Sequence, residues 1–323
     1  MTSFMLTDTF GRSHDYLRIS LTDACNLRCV YCMPNEDASV TPSAKLMQVE
    51  EIEGIARVFT ELGVRKIRLT GGEPLLRKDV RLIMKKLSAL PAELTISTNA
   101  ILADAFIDTF RETGICAVNV SLDTLNPDEF KAIAKRGDFQ KIKSNILLLL
   151  TEGFRVKVNV VVMKGINEHV VPDFIQWTKE HELEVRFIEF MPFEGNSWKR
   201  EAVVSYAEML DTIGKQYDIH KLEDQPNDTA RKFTVNGYKG SFAFITTVTQ
   251  PFCEGCNRLR LTADGKMKNC LFSEGENDIL SAWRAGKDIR PIIALNLGSK
   301  KKERGGRFDF ENIANRSMIK IGG

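Results

Sequence analysis

The 323-residue sequence is short of net charge, of long apolar runs, and of cysteine and histidine, and each shortage excludes something. Lys and Arg number 45 against 43 Asp and Glu, a formal charge of +2. No bulk field therefore draws the chain to nucleic acid or to a membrane, and any anion must be held by a local cluster. The longest apolar run, residues 146–150, falls far below the roughly 18 residues of a membrane span. The first sixteen residues lack the basic-then-apolar order of a secretory signal, so a cytoplasmic protein is predicted. Seven cysteines are too few to staple this length, and a reducing compartment favours ligand or catalytic roles for clustered thiols. Neither a GxGxxG nor a GxxxxGK[ST] motif occurs, which removes the common dinucleotide and P-loop folds. What remains, 43% hydrophobic and 27% charged residues, is an ordinary globular composition with enough apolar surface for a large core.

Short apolar runs at 16–21, 66–70, 93–97, 117–121, 155–162 and 184–189 alternate with helical periodicity at 49–62, 77–90, 103–113, 139–152 and 169–181. Six βα-type units with β-branched strands predict a parallel sheet, and without a nucleotide-fold fingerprint a barrel is favoured, incomplete at six units. After about residue 215 the pattern changes to runs at 231–235, 239–246, 258–262 and 266–269, joined by Asn236-Gly237 and Asp264-Gly265, which are hairpin turn dipeptides. An antiparallel C-terminal segment is predicted, and the polar stretch 222–229 divides the chain into 1–220 and 221–323.

Cys25, Cys29 and Cys32 form a C-x3-C-x2-C triplet just after the first predicted strand. Loops there lie at the carboxyl edge of a parallel sheet, where barrel active sites assemble. Three thiolates on a 4Fe-4S cluster leave one iron open to a small ligand. A zinc site without a nearby fourth ligand, or three unrelated buried thiols, are the alternatives, although only His14 lies near. Cys253, Cys256 and Cys270 make a second triplet, for which a zinc ribbon is the alternative.

Cys25-Asn-Leu-Arg-Cys29-Val-Tyr31-Cys32, with Gly71-Gly72-Glu73-Pro74 after the second strand, resembles the signature of radical S-adenosylmethionine (SAM) enzymes. Residues 251–260 (PFCEGCNRLR), Asp264-Gly265-Lys266 and Cys270-Leu271-Phe272 resemble the C-terminal signature of the GTP 3′,8-cyclase family. The resemblance runs from about residue 10 to the terminal Gly322-Gly323. It implies an incomplete (β/α)6 TIM-type barrel with a C-terminal antiparallel extension, and two 4Fe-4S clusters, one binding SAM and one contacting GTP across the open mouth. In that family the 5′-deoxyadenosyl radical takes hydrogen from ribose C3′, which attacks guanine C8 to give (8S)-3′,8-cyclo-7,8-dihydro-GTP, the first step towards molybdopterin. Cyclic pyranopterin monophosphate synthase acts next, and a flavodoxin or ferredoxin type donor supplies the electron to a monomer or homodimer.

A triphosphate without a P-loop needs cationic side chains. Arg18, Lys66, Arg68, Lys157 and Arg186 all lie in predicted strands with apolar neighbours. The resemblance implies GTP contacts from Arg18, Arg68, Thr98, Lys157, Arg258, Leu259 and Arg260, with Lys66 and Arg186 weaker matches. It implies SAM contacts from Tyr31, Gly72, Ser121 and Met191. Gly322 and Gly323 are expected to enter the active site beside Arg260, since residues without a Cβ can approach a ligand closely. One departure is Ala100, where the family commonly has Gly. Cys116 belongs to neither triplet and is expected to be a buried, inert thiol.

Overall fold

The computed structural model describes residues 6–33, 40–307, 310 and 315–322. Its first half alternates as the periodicity predicts: β1 (Tyr16–Ser20), α1 (Val49–Glu61), β2 (Lys66–Thr70), α2 (Val80–Ser88), β3 (Glu93–Thr98), α3 (Ile107–Glu112), β4 (Ala117–Ser121), α4 (Pro127–Ala134), α5 (Phe139–Thr151), β5 (Arg155–Val162), α6 (Val171–Glu180) and β6 (Glu184–Glu189). These strands pair in sequence order and in parallel. Local chemistry sets the boundaries. Gln48 and Glu51 close a capping box on α1, and Gly153, at φ +81°, turns the chain after α5 and into β5. The helix α4 was not read from the periodicity. It starts on Asn126, whose side chain accepts from the backbone N–H of Asp128 (2.8 Å) and Glu129 (3.2 Å), with Pro127 in the first turn.

The second half contains α7 (Tyr206–Gly214), β7 (Ile219–Lys221), β8 (Arg231–Val235), β9 (Ser241–Ile245), β10 (Arg258–Leu261), β11 (Lys266–Lys268), β12 (Asn277–Asp278), α8 (Ile279–Arg284), α9 (Arg290–Gly298) and α10 (Met318–Ile321). The two predicted hairpins are present, with Gly237 at φ +80° and Gly265 at φ +70°. They do not form one appended segment. β9 lies parallel beside β6, and β10 parallel beside β1, so the second half extends both edges of the same sheet. The strand order is β12-β11-β10-β1-β2-β3-β4-β5-β6-β9-β8-β7. The turn dipeptides specified the pairing within each hairpin but carried nothing about where each hairpin docks.

Alternation divides the strands into two faces. Leu17, Ile19, Ile67, Leu69, Val158 and Val160 turn outward and are buried with α1, α2 and α5 side chains such as Ile52, Phe59, Met84 and Ile146. Burial of each such large side chain stabilises the fold by roughly 1.5–3 kcal/mol. The opposite face is polar and lines the concave interior. Residues 246–257 cross between the two sheet edges, from the carboxyl end of β9 to the amino end of β10.

Candidate active site

The loop after β1 is bound on three sides. Its Arg28 and Val30 N–H groups donate to the carbonyls of Ala134 and Ile133 at the end of α4 (2.9 and 3.0 Å). Arg28 Nη1 donates to the Cys25 carbonyl (2.6 Å). Gly72 and Glu73 N–H donate to the Thr22 and Ala24 carbonyls (2.6 and 2.8 Å). That last contact explains the glycine pair sterically, because a Cβ on Gly71 would lie 2.6 Å from the Thr22 oxygen and one on Gly72 2.4 Å from the Ala24 oxygen. Cys25 Sγ accepts from Leu27 N–H (3.4 Å). Burial, then the neighbouring Asp123 and its companion thiols, push the Cys29 thiol well up. Clustered thiols this reluctant to ionise alone suit a cationic iron group that stabilises the thiolates. Among the described residues no three His, Cys, Asp or Glu side chains converge on a point where one ion would sit. A polynuclear cluster, which takes its thiolates on separate irons, does not need such convergence.

Glu73 is fully buried under this loop, where its carboxyl accepts from Leu75 N–H (3.0 Å), Thr98 Oγ1 (2.8 Å) and Asn99 N–H (2.7 Å). Burial raises its pKa to about 7 despite those three donors. Asn99 reaches on to Asn26 Oδ1 (2.7 Å), so the end of β3 is fastened to the cysteine loop. Tyr31 donates its hydroxyl to Asp123 Oδ2 (2.9 Å), and Asp123 also accepts from Val161 N–H.

Towards the amino end, the interior face carries a row of arginines in register on three adjacent strands: Arg260 on β10, Arg18 on β1 and Arg68 on β2. Arg258 and Tyr16 sit one row below. Burial first, then neighbouring guanidinium groups, depresses these pKa values: Arg258 beside Arg260, which falls to about 10, and Arg260 beside Arg18, while at Arg68 burial and Arg186 outweigh the opposing Tyr16. Across the interior, burial and then Arg186 lower Lys157 to about 8. Arg186 is paired with Glu184 and Lys66 with Glu93, so these two cations are partly neutralised within the protein. Arg68 Nε, Asn119 Oδ1 and Asn159 Oδ1 are buried without a hydrogen-bond partner among the described residues. A polar, anionic ligand fits such a lining.

The second triplet lies at the other end of β1. Cys253 and Cys256 are on the 246–257 crossing, just before β10, and Asn257 receives the Tyr16 N–H on its carbonyl (3.3 Å). β11 runs antiparallel to β10 with Lys268 opposite Arg260, which returns Cys270 to the same end. Burial raises the Cys256 thiol, but Arg258 and Lys300 outweigh it and bring it down to about 6.

Residues 315–322 close the interior from above. Arg316 forms ion pairs with Asp264 (2.8 Å) and Glu276 (2.6 Å), and Ile319 and Ile321 are buried. Gly322, at φ +85°, accepts from Arg260 Nη1 on its carbonyl (3.0 Å). A Cβ there would meet Ser20 Cβ and Thr70 Oγ1, each at 2.7 Å. Gly323 lies outside the described residues.

Residues 19–178 match the profile of the radical SAM superfamily and residues 183–305 that of Molybdenum Cofactor Synthesis C. The chain is 44% identical over 328 residues to the mitochondrial GTP 3′,8-cyclase of Arabidopsis thaliana, covering 99% of this chain and 84% of that protein. It is 42% identical to the GTP 3′,8-cyclase of Listeria monocytogenes, covering 90% of this chain and 86% of the other. This chain belongs to the GTP 3′,8-cyclase family. Molybdenum cofactor biosynthesis protein 1 of Mus musculus is 46% identical over 99% of this chain, which spans about half (51%) of that longer relative. The fold resembles that of Streptococcus suis SuiB bound to S-adenosylmethionine, with TM-score 0.62 and 16% identity over 95% of this chain and 72% of SuiB. As a radical SAM protein the chain uses SAM and an iron-sulfur cluster.

Not every residue expected from the GTP 3′,8-cyclase resemblance turns its side chain inward. Leu259 is fully buried on the outer face, opposite Leu17, because alternation gives the interior to Arg258 and Arg260; only its backbone is left for a ligand. Thr98 is buried with its hydroxyl given to Glu73, which makes it a support for Gly71-Gly72. Ser121 stands at the carboxyl end of β4 and Met191 in the loop after β6. Asn196 was missed. Its Nδ2 donates to the Met191 carbonyl (2.8 Å) and the Tyr31 carbonyl (3.3 Å), joining two loops predicted to touch SAM. No spacing signal marks it, since both contacts are to backbone and the one to Tyr31 spans 165 positions. Cys116 is exposed, not buried, because it sits before β4 in the turn after α3. Among the described residues no helix is long and apolar enough to cross a membrane.

Proposed function

We infer that the chain cyclises GTP to (8S)-3′,8-cyclo-7,8-dihydro-GTP, the opening reaction of molybdenum cofactor biosynthesis. One observation carries this: an arginine row on β10, β1 and β2 lies between two cysteine triplets at opposite ends of β1. The five residues of β1 span roughly 13 Å, a length that an extended nucleoside triphosphate can bridge. Cys25, Cys29 and Cys32 would hold the SAM-binding 4Fe-4S cluster, with Tyr31, Gly72, Ser121 and Met191 around SAM. Cys253, Cys256 and Cys270 would hold a second one against the guanine. Bound together, cluster and SAM supply the carbon radical that removes hydrogen from ribose C3′.

The protein's own part is positioning. Arg18, Arg68 and Lys157 bind the phosphates, Arg258 and Arg260 the nucleoside, with Thr98 and Leu259 behind them. The turn at Gly322 keeps solvent out and orients Arg260. A flavodoxin or ferredoxin type protein delivers the electron, and cyclic pyranopterin monophosphate synthase consumes the product. Anaerobic turnover of GTP with SAM and reductant, with mass analysis of the nucleotide, tests the reading; unchanged GTP beside consumed SAM would refute it.

Two variants separate the sites. Cys29→Ala is expected to abolish SAM cleavage. Cys256→Ala is expected to keep iron at the first site and some uncoupled SAM cleavage while forming no cyclised nucleotide. Unmodified protein should carry about eight iron and eight sulfide per chain. Lys157→Ala or Arg18→Ala should weaken GTP binding about 10- to 100-fold at constant SAM affinity, each charged hydrogen bond contributing roughly 1.5–3 kcal/mol.

A further inference from the structure

Three elements distant in sequence converge on the outer side of the second triplet. Lys300 is 4% exposed, and its ammonium donates to Cys256 Sγ (3.5 Å), the Arg258 carbonyl (3.3 Å) and the Asn269 carbonyl (2.6 Å). It thus ties the Cys256 arm to the arm carrying Cys270. All its hydrogen bonds among the described residues run to a sulfur and two carbonyls, and none to a carboxylate. A buried cation without a carboxylate needs another anion, and the sulfur is the one at hand.

The next residues repeat the theme with backbone. Arg304, Gly305 and Gly306 follow one another at φ +48°, +63° and +85°, a left-handed turn closed by the Gly306 N–H on the Glu303 carbonyl (2.8 Å). Arg304 N–H donates to Cys253 Sγ (3.5 Å). A Cβ on Gly305 would sit 2.8 Å from Ser273 N and 2.9 Å from the Phe272 carbonyl carbon, so the loop is pressed onto the backbone just after Cys270. Arg12 locks the arrangement from the other end of the chain. Its guanidinium donates to the carbonyls of Cys253 (2.8 Å), Lys302 (2.6 Å) and Lys301 (2.9 Å), while the buried Asp8 holds its Nε (2.6 Å).

We propose that Lys300 and the 304–306 turn, braced by Arg12, form an electrostatic clamp that sets the reduction potential of the group held by the second triplet and retains it. The clamp rests on the two-cluster reading given above. Hydrogen bonds and net charge at the sulfurs are among the determinants of iron-sulfur potentials, and outer partners commonly decide retention. Reduction adds negative charge next to the Lys300 ammonium, so the lysine favours the reduced state. Lys300 and Arg304 act through the thiolates and Arg12 through the Cys253, Lys301 and Lys302 backbone, and all three are positioning residues.

The test is an EPR-monitored redox titration of the anaerobic holoenzyme, in which the first cluster is recognised by its response to added SAM. In Lys300→Met the reduced-to-oxidised ratio of the second cluster at a fixed potential should fall about tenfold, equivalent to ~59 mV for one electron. The SAM-responsive signal should stay in place, and Lys300→Arg should restore most of the shift. Full occupancy with an unmoved potential in Lys300→Met overturns the proposal, as does loss of the second cluster from both lysine variants. Its loss from Lys300→Met alone supports the retaining role. Gly305→Ala should release iron from the second site to a chelator several-fold faster, and an unchanged rate removes the turn from the clamp. Unmodified protein with only about four iron per chain would instead refute the two-cluster reading itself.

Discussion

At Ala100 the backbone takes φ +62° although the residue is fully buried, a left-handed conformation that disfavours any Cβ by roughly 1–2 kcal/mol. It is held there by the Thr98 hydroxyl, which accepts from Ala100 N–H (3.0 Å), and by Asn145, which donates to the Ala100 carbonyl (2.7 Å). Ala100→Gly should relieve the strain at some expense in unfolded-chain entropy, for a net gain of up to about 1 kcal/mol in anaerobic denaturant unfolding. The position was legible as unusual in the sequence, but its conformation was not. A second residue-scale expectation concerns Lys157, which burial and Arg186 bring to about 8. Its ammonium is therefore charged at pH 7 and largely neutral by about pH 9, so GTP affinity should fall across that interval. In Lys157→Arg, whose guanidinium stays protonated, equilibrium dialysis should show a flatter profile. Parallel curves would take Lys157 away from the phosphates.

Elements meet through backbone contacts that leave no space for side chains. The strand-end turn at Gly71-Gly72 and the cysteine loop are one unit, since Gly72 touches Ala24 carbonyl oxygen where only a hydrogen fits. Gly72→Ala must displace the loop. It should lower iron at the first site and abolish SAM cleavage, while any iron held by Cys253, Cys256 and Cys270 is unchanged, as iron analysis and EPR can check. The same logic holds at Gly322, wedged between β1 and β2. Gly322→Ala meets both a positive φ and Ser20 and Thr70, and it should cut cyclisation about 100-fold while SAM cleavage continues. The six parallel strands were legible because each is a β-branched run between helical patterns. The start of α4 was equally legible in Asn126-Pro127-Asp128-Glu129, but eight residues offer too few turns for periodicity to speak.

At the scale of the whole molecule, the chemistry of the interior was readable as residue types, whereas their assembly was not. Arg18, Arg68 and Arg260 announce a cationic lining, yet only the docking of β10 beside β1 makes them a row. That contact is remote in the chain: Asn257 donates to Asp15 across 242 positions (2.6 Å). A ribosome adding about 5–20 residues per second needs roughly 12–48 s to cover that distance. For most of this interval, once β2 has been made, β1 has no neighbour on its other side, and Cys25, Cys29 and Cys32 are present long before Cys253, Cys256 and Cys270. Iron delivery during translation would then proceed in chain order, the SAM-binding loop first and the nucleotide end last, with the second site closed only when Lys300 and Arg304 have followed.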